Sequence, residues 1–406
     1  MFKFIHAADI HLDSPLLGLE RYEGAPVDEI RGATRRALEN LVQLAIDEAV
    51  QFVLIAGDVY DGDWRDASTG LYFVKQMARL REAKIPVYLI AGNHDAANKM
   101  TRELPFPENV KQFSTGKPET ALIPGLHVAI HGQGYATADL RNNLAEDYPK
   151  PVPDAFNIGL LHTCCAGAPE HAPYAPCTLA ELVAKGYQYW ALGHVHTAQA
   201  LCEDPPIVFP GNVQGRHIRE PGPRGCLLVN VDDHHRIMRE FKPLDVLRWH
   251  LCELDATGAA DPDAVISRFV KRLPEVMAEH PGQTLAIRVR VSGKTAAHRT
   301  LNAGRMAVRE HLQSVGVDVG NGAVWIEKLV IDTQPEGQTA IPDGPIAELK
   351  GYLAELRGND DEVEALLKDL LPPELQETGQ PADRLKMLDD VEDLLMERLL
   401  GAEAAQ

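Results

Sequence analysis

Along the first half of the chain, short apolar runs alternate with longer stretches in which apolar residues return every three or four positions. The short runs at 2–6, 52–56 and 87–91 read as buried strands. Between them, Leu38, Leu41, Leu44 and Ile46 form a stripe in a helical pattern over 28–50. Leu71, Val74, Met77 and Leu80 do the same over 67–83. Strand, helix, strand, helix, strand predicts a layered α/β domain. Further short strands are expected at 126–131, 157–161, 188–192, 207–209 and 226–231, so the first domain reads as a sheet sandwich flanked by helices and ending near residue 245.

A different order then begins. Strands at 249–254, 284–291 and 324–331 alternate with helices at 262–279 and 303–314, which predicts a small α/β cap over 246–335. Residues 333–343 are polar with Pro and Gly and read as a linker. Two amphipathic helices follow, at 345–370 and 382–400, separated by Pro372-Pro373. Residues 336–406 thus form a tail.

The chain carries a net charge of −19. That total looks wrong for a nucleic-acid binder, but its distribution changes the picture. The last 66 residues hold 6 Lys+Arg against 17 Asp+Glu, whereas residues 1–250 hold 24 against 31. Acids in the first segment that ligate metal ions would be neutralised by them. No apolar run approaches the roughly 18 residues that span a membrane, and the start Met1-Phe2-Lys3-Phe4 enters a strand with no signal-peptide pattern. A cytoplasmic protein with no membrane partner is expected. Six cysteines lack CxxC spacing, which argues against a zinc ribbon or disulfide framework. Cys164-Cys165 reads as packing.

The polar residues at the strand ends carry the chemistry. Strand 2–6 is followed by Asp9-Ile10-His11, strand 52–56 by Gly57-Asp58, and strand 87–91 by Gly92-Asn93-His94-Asp95. His162 follows strand 157–161, and Gly193-His194-Val195-His196 follows strand 188–192. Open α/β sheets place ligands at these carboxyl ends. Asp, Asn and His are oxygen and nitrogen donors suited to manganese, iron or zinc. In an extended segment residues i and i+2 share a side, so Asp9 with His11 could grip one ion, and His194 and His196 one ion or two. Taken singly, each motif is explained as well by turn chemistry or a core histidine. Together, in this order, they predict a dinuclear metal site bridged by Asp58.

This set resembles the calcineurin-like metallophosphoesterases. His11-Leu12-Asp13, Ala56-Gly57-Asp58-Val59-Tyr60-Asp61, and Phe209-Pro210-Gly211-Asn212 followed by the 224–229 strand resemble the SbcD/Mre-type DNA repair exonucleases. Residues 9–16 and 211–217 are most similar to the YhaO-like bacterial branch of that family. The resemblance is strong over residues 1–245 and rests on layout alone beyond them. It implies a four-layer α-β-β-α sandwich with a small capping domain and a helical tail. It also implies two divalent ions, taken as Mn2+, with Asp9, His11, Asp58 and His196 on one and Asp58, Asn93, His162 and His194 on the other. His94 is then no ligand but the group that assists the departing oxygen, with Asp95 orienting its ring. Some relatives carry histidine three residues after the bridging aspartate. Here Asp61 stands there, either bonding a metal-ligating histidine or stabilising a turn.

The implied substrate is DNA. Arg216, His217, Arg219 and Arg224 form a basic cluster that could grip a phosphate backbone or simply be solvated. Arg288 and Arg290 alternate on a cap strand and could face DNA or solvent. A phosphatase or phosphodiesterase acting on nucleotides or phosphoproteins is the competing reading, because one metal core serves many substrates. The implied partner is a coiled-coil SMC-like ATPase of the SbcC/YhaN type. It would dock on the tail, where Ile346, Leu349, Leu353 and Leu356, and Leu385, Leu388, Val391, Leu394 and Leu395, repeat on one face. Folding of these helices back onto the cap is the alternative. A second copy of the chain is a further candidate partner.

Overall fold

The computed structural model describes residues 1–14, 32–61, 68–97, 105–123, 125–165, 174–336 and 351–352. The expected helix start at residue 28 and the tail helices, Gly351 and Tyr352 apart, lie outside these. The chain divides into two compact units. One comprises Met1–Leu254, Arg268–Arg290 and Arg309–Val330, and the other Asp255–Ser267, Val291–Val308 and Ile331–Gln406.

Two six-stranded sheets form the body of the first unit. The first sheet contains β1 (Phe2–Ala7), β2 (Phe52–Ile55), β3 (Val87–Leu89), β4 (Val110–Gln112), β11 (Gly225–Val231) and β12 (Ile237–Pro243), in the order β12-β11-β1-β2-β3-β4. Strands β1 to β4 run parallel, and β11 joins β1 antiparallel. The second sheet contains β5 (Glu119–Ile123), β6 (Val128–Gly132), β7 (Phe156–His162), β8 (Tyr189–Gly193), β9 (Gln199–Glu203) and β10 (Pro206–Phe209), in the order β5-β6-β7-β8-β10-β9. Its inner strands β6, β7, β8 and β10 are parallel.

Period-two alternation assigns each strand residue to a layer. Phe4, Phe52, Leu54, Ile158, Leu160, Tyr189 and Ala191 meet between the sheets. Ile5, Ala7, Val53 and Ile55 point the other way, onto helices Ala33–Asp47 and Ser68–Glu82. Trp190, Leu192 and Leu161 face the opposite flank, near the 3-10 turn Leu144–Asp147 and helix Leu179–Ala184. The result is the expected α-β-β-α sandwich. Fully burying one such large apolar side chain contributes about 1.5–3 kcal/mol. A polar tie also crosses the middle layer. His6 of β1 is fully buried, with Nε2 donating to the Leu192 carbonyl at 3.0 Å and Nδ1 accepting from the Tyr189 hydroxyl at 3.0 Å. Burial lowers its pKa to about 3, so it stays neutral.

The strands missed by pattern are β4, β5, β9 and β12, all at sheet edges and partly or largely exposed, where no apolar alternation is required. One helical face also differs. Met77 and Leu80 are buried as expected, but Leu71 is 56 % exposed, Val74 is only partly buried, and Phe73 and Gln76 complete the buried face of helix Ser68–Glu82.

Beyond residue 245, β13 (Leu247–Asp255), β14 (Thr284–Thr295) and β15 (Val324–Pro335) form a three-stranded sheet, with helices Pro262–Glu279, His298–Ala303 and Arg305–Gly320 between them. The helix expected at 303–314 is present as Arg305–Gly320, and a short helix, His298–Ala303, that the pattern did not show precedes it. Arg288 is not free for DNA: its guanidinium makes two bonds to the Glu327 carboxylate, at 2.6 and 2.8 Å. In the second unit, Ala256 N bonds Ser292 O, Thr295 Oγ1 bonds Ala259 O, and His298 Nδ1 lies 2.9 Å from Thr333 Oγ1.

Candidate metal centre

All seven expected ligands leave the carboxyl ends of parallel strands. Asp9 and His11 follow β1, Asp58 follows β2, and Asn93 follows β3 as the first residue of helix Asn93–Ala97. His162 ends β7, while His194 and His196 follow β8. The loops after β1 and β2 stay paired, with Asp9 N bonded to Gly57 O, His11 N to Asp58 O and Leu12 N to Val59 O. Asp9, His11, Asp58 and His194 all have positive φ, between 44° and 103°. Asp9 and His11 therefore do not lie in the extended segment expected from their spacing. They share a site through left-handed turns, a strained conformation for non-glycine residues that concentrates at functional sites. Gly92 is required by contact: a Cβ there would lie 2.2 Å from Asp58 Oδ1.

The ligand atoms of Asp9, His11 and His196 lie within 4.8 Å of one another, as do those of Asp9, Asp58 and His162, and those of His11, Asp58 and His94. Second partners fix the tautomers. His162 Nδ1 donates to the Ala56 carbonyl at 2.8 Å; burial lowers the ring's pKa, but the Asp58 carboxylate outweighs it and pushes it up to about 9, so without an ion Nε2 also carries a proton. That Nε2 lies 3.0 Å from Asn93 Oδ1 and 3.4 Å from Asp58 Oδ2. His196 Nδ1 lies 2.7 Å from Glu220 Oε1, so its Nε2 presents a lone pair 3.2 Å from His11 Nε2. A divalent ion would take the place of the His162 Nε2 proton, because a ligating imidazole must give up the hydrogen on its ligand nitrogen. Burial pushes Asp9 up to about 6, outweighing the nearby imidazoles; a cation would restore its carboxylate. The donor set fits divalent ions of borderline hardness.

His94 stands apart as the exposed member, with 38 % of its side chain open. Its backbone N–H donates to Asp58 Oδ1 at 2.9 Å, and its Nδ1 lies 2.9 Å from Asp61 Oδ1. The carboxylate that orients the ring is thus Asp61, not Asp95. Asp95 is buried and accepts the backbone N–H groups of Val59, Tyr60 and Gly92, tying two ligand loops together. Asp61 also accepts from Ser14 Oγ at 2.6 Å and lies 3.3 Å from His11 Nδ1. Burial would raise its pKa, but the two imidazoles and Ser14 hold it well below the carboxylate range. Burial would lower His94, and the Asp61 and Asp58 carboxylates raise it above its ordinary value.

The basic cluster separates. Arg224 is buried and donates to the carbonyls of His196 and Pro221, so it braces the ligand loop and does not face DNA. Arg219 is exposed, His217 is half-buried and Arg216 is turned inward. The residue missed in the sequence is Glu220. It is buried, holds His196 through Oε1, and accepts from Asn212 Nδ2 and Arg216 N through Oε2. Burial opposes its charge, but His196 and Arg216 hold its pKa well below the usual range. Linear spacing carries no hint of this, because Glu220 lies 24 positions from His196. Glu220→Gln should weaken ion binding about 10–100-fold, as loss of such supporting partners does. Titrating manganese against thermal shift checks this, and unchanged affinity would mean that Glu220 only braces its own loop.

A second His-rich group, His250, Glu279 and His280, has ligand atoms equally close. Its Arg248 neighbour, 3.2 Å from His280 Nδ1, and the Arg272–Glu279 ion pair make it a poor cation site. Among the described residues, no helix is long and apolar enough to cross a membrane.

The calcineurin-like phosphoesterase family matches residues 2–198, and the family described as metallophosphoesterase YhaO, middle domain, matches residues 249–334. The chain is 34% identical to the uncharacterized metallophosphoesterase YhaO of Bacillus subtilis over 339 residues, covering 82% of each chain. It is 27% identical to the DNA double-strand break repair protein Mre11 of Sulfurisphaera tokodaii, over 49% of this chain and 50% of that one. It is 25% identical to Mre11 of Methanopyrus kandleri, over 59% of this chain and 56% of that one. A crystal structure of a dimetal phosphatase from Danio rerio covers 60% of this chain and 96% of its own, at 14% identity and a TM-score of 0.40. With the sandwich, the strand-end donors and a relative matched over four-fifths of its length, the chain belongs to the calcineurin-like metallophosphoesterases, among the YhaO-like members.

Proposed function

We propose that this metallophosphoesterase is a phosphodiesterase acting on DNA, the nuclease subunit of a repair complex. In this reading residues 1–245 are catalytic, 246–335 are the cap, and 336–406 carry a docking site for a coiled-coil ATPase. The observation that carries the chemistry is the buried donor set beside one exposed histidine, His94. DNA as substrate is supported by similarity to proteins named for double-strand break repair, and by exposed Arg219, the sequence neighbour of Glu220.

Asp9, His11, Asp58 and His196 would hold one ion, and Asp58, Asn93, His162 and His194 the other. When bound, two such ions activate a water and offset charge on the phosphoryl oxygens, with Mn2+ the proposed metal. Asp58 ties the two halves together. The water oxygen bonds phosphorus as the bond to the sugar oxygen breaks, and that oxygen keeps the bonding electrons. His94 protonates it through Nε2, while Asp61 receives Nδ1–H and holds the ring still. Asp95 keeps the β2 and β3 loops in register, so it supports the site and touches nothing reactive.

A second reading, hydrolysis of nucleotides or phosphoproteins, draws on the withdrawal of Arg224 from the surface. End-labelled duplex and hairpin DNA, assayed with manganese beside a small phosphodiester, separates the two. Labelled DNA should shorten with a shallow salt dependence, since few cations contact it. Cleavage of the small ester with DNA left intact would overturn the DNA reading.

A further inference from the structure

The 211–220 loop brings one cation into the centre. Gln214 anchors the loop, accepting from Val246 N and donating to Leu247 O, while the Trp249 indole donates to Gly215 O at 2.9 Å. Arg216 follows, with only 15 % of its side chain exposed. Its guanidinium lies between two carboxylates that each hold a site histidine. Nη1 is 3.6 Å from Asp61 Oδ1, the partner of His94. Nη2 is 3.5 Å from Glu220 Oε1, the partner of His196.

This arrangement balances the charge of Arg216 without satisfying its donors. Both carboxylate contacts exceed the 2.7–3.2 Å of a good N–H···O bond. The remaining neighbour, His196 Nδ1 at 3.3 Å, carries the proton it gives to Glu220, so there a donor faces a donor. Arg216 Nε is buried with no partner at all. A guanidinium offers five N–H groups and native proteins seldom leave buried ones unmade. Arg216 is thus braced on both sides, next to His94 and His11, with hydrogen-bonding capacity unused.

We propose that Arg216 contacts the scissile phosphate, donating to a non-bridging oxygen of the phosphodiester as charge builds there. This rests on the two-ion reading of the site but not on DNA as the substrate. The forked, permanently charged guanidinium suits a phosphoryl group as a lysine ammonium does not. A donor preorganised against developing charge is worth about 10²–10³-fold in rate. Arg216 therefore leaves the set of general backbone contacts and joins the reacting centre.

The test uses the full-length, manganese-loaded chain with Arg216→Gln and Arg216→Lys. Substrates are bis(p-nitrophenyl) phosphate and end-labelled duplex DNA. Ion content and thermal shift are measured alongside, and inorganic phosphate binding is titrated as a readout independent of turnover. Arg216→Gln should keep both ions and lose about 10²-fold or more in kcat/KM on the small ester and on DNA alike. Phosphate should bind about tenfold more weakly or worse, and lysine should recover only part of either loss. If kcat/KM on the small ester is unchanged, Arg216 serves only the distant DNA backbone and the proposal fails. If both variants lose an ion, Arg216 acts through Glu220 and His196 and the proposal fails equally. Wild-type cleavage of the ester without cleavage of DNA removes the DNA reading and leaves this test intact.

Discussion

Asp58→Asn should abolish phosphoesterase activity, by about 10³-fold or more, and should remove both ions. The substitution keeps size and one acceptor oxygen but deletes the charge. Asp58 is buried; Oδ1 takes the His94 amide, and Oδ2 lies 3.4 Å from His162 Nε2 and 3.9 Å from His11 Nε2. Among the described residues, Asp58 joins close donor trios with His11 and with His162, as Asp9 does. A neutral amide cannot offset two dications in so dry a site. The measurement is ion content after gel filtration, with thermal shift on adding manganese. Saturation at 100 times Kd stabilises wild type by about 2.7 kcal/mol, and the variant should forfeit most of that shift. Two retained ions with full activity would sink the scheme.

His94→Gln should instead keep both ions and lose about 10²–10⁴-fold in rate, the range of general acid–base catalysis. His94 is close enough to His11 and Asp58 to be mistaken for a ligand. Its Nδ1, however, is committed to Asp61, and the ring is the exposed one. The decisive comparison is between leaving groups. A p-nitrophenolate leaves without help, so the loss on that ester should be much smaller than the loss on DNA, whose departing sugar oxygen needs a proton. Equal losses would argue that His94 stabilises charge without donating a proton. Loss of an ion would return His94 to the ligand set.

Arg216, Glu220 and Asp61 then explain why the histidines face as they do. Glu220 meets His196 at Nδ1, Asp61 meets His94 and His11 at theirs, and Arg216 lies between the two carboxylates. Such supporting partners commonly control ring orientation and basicity in metal sites. The prediction for Glu220 concerns ion affinity and that for Arg216 concerns turnover, so the two roles separate by measurement.

What the amino-acid order determined by itself was the layered fold and the donor inventory. Alternation of period two sorts Phe4 from Ile5 and Trp190 from Ala191 before any contact is known, because successive strand side chains point to opposite faces. The donors were legible because each stands just past an apolar run, often after a glycine. Edge strands escaped notice because solvent demands no alternation of them. Tertiary structure alone decided which carboxylate serves which histidine. Asp95 adjoins His94 in sequence, yet neighbours on a helical turn point about 100° apart, so Asp95 turns back to the loop amides while His94 reaches Asp61. Arg216 and Arg224 read as cations for a phosphate backbone or for solvent, and Glu220 drew no reading, yet the folded loop holds Arg224 and Glu220 buried and Arg216 turned inward. A charge's role depends on what it faces, and that is set by the meeting of loops from different strands, which no local pattern encodes.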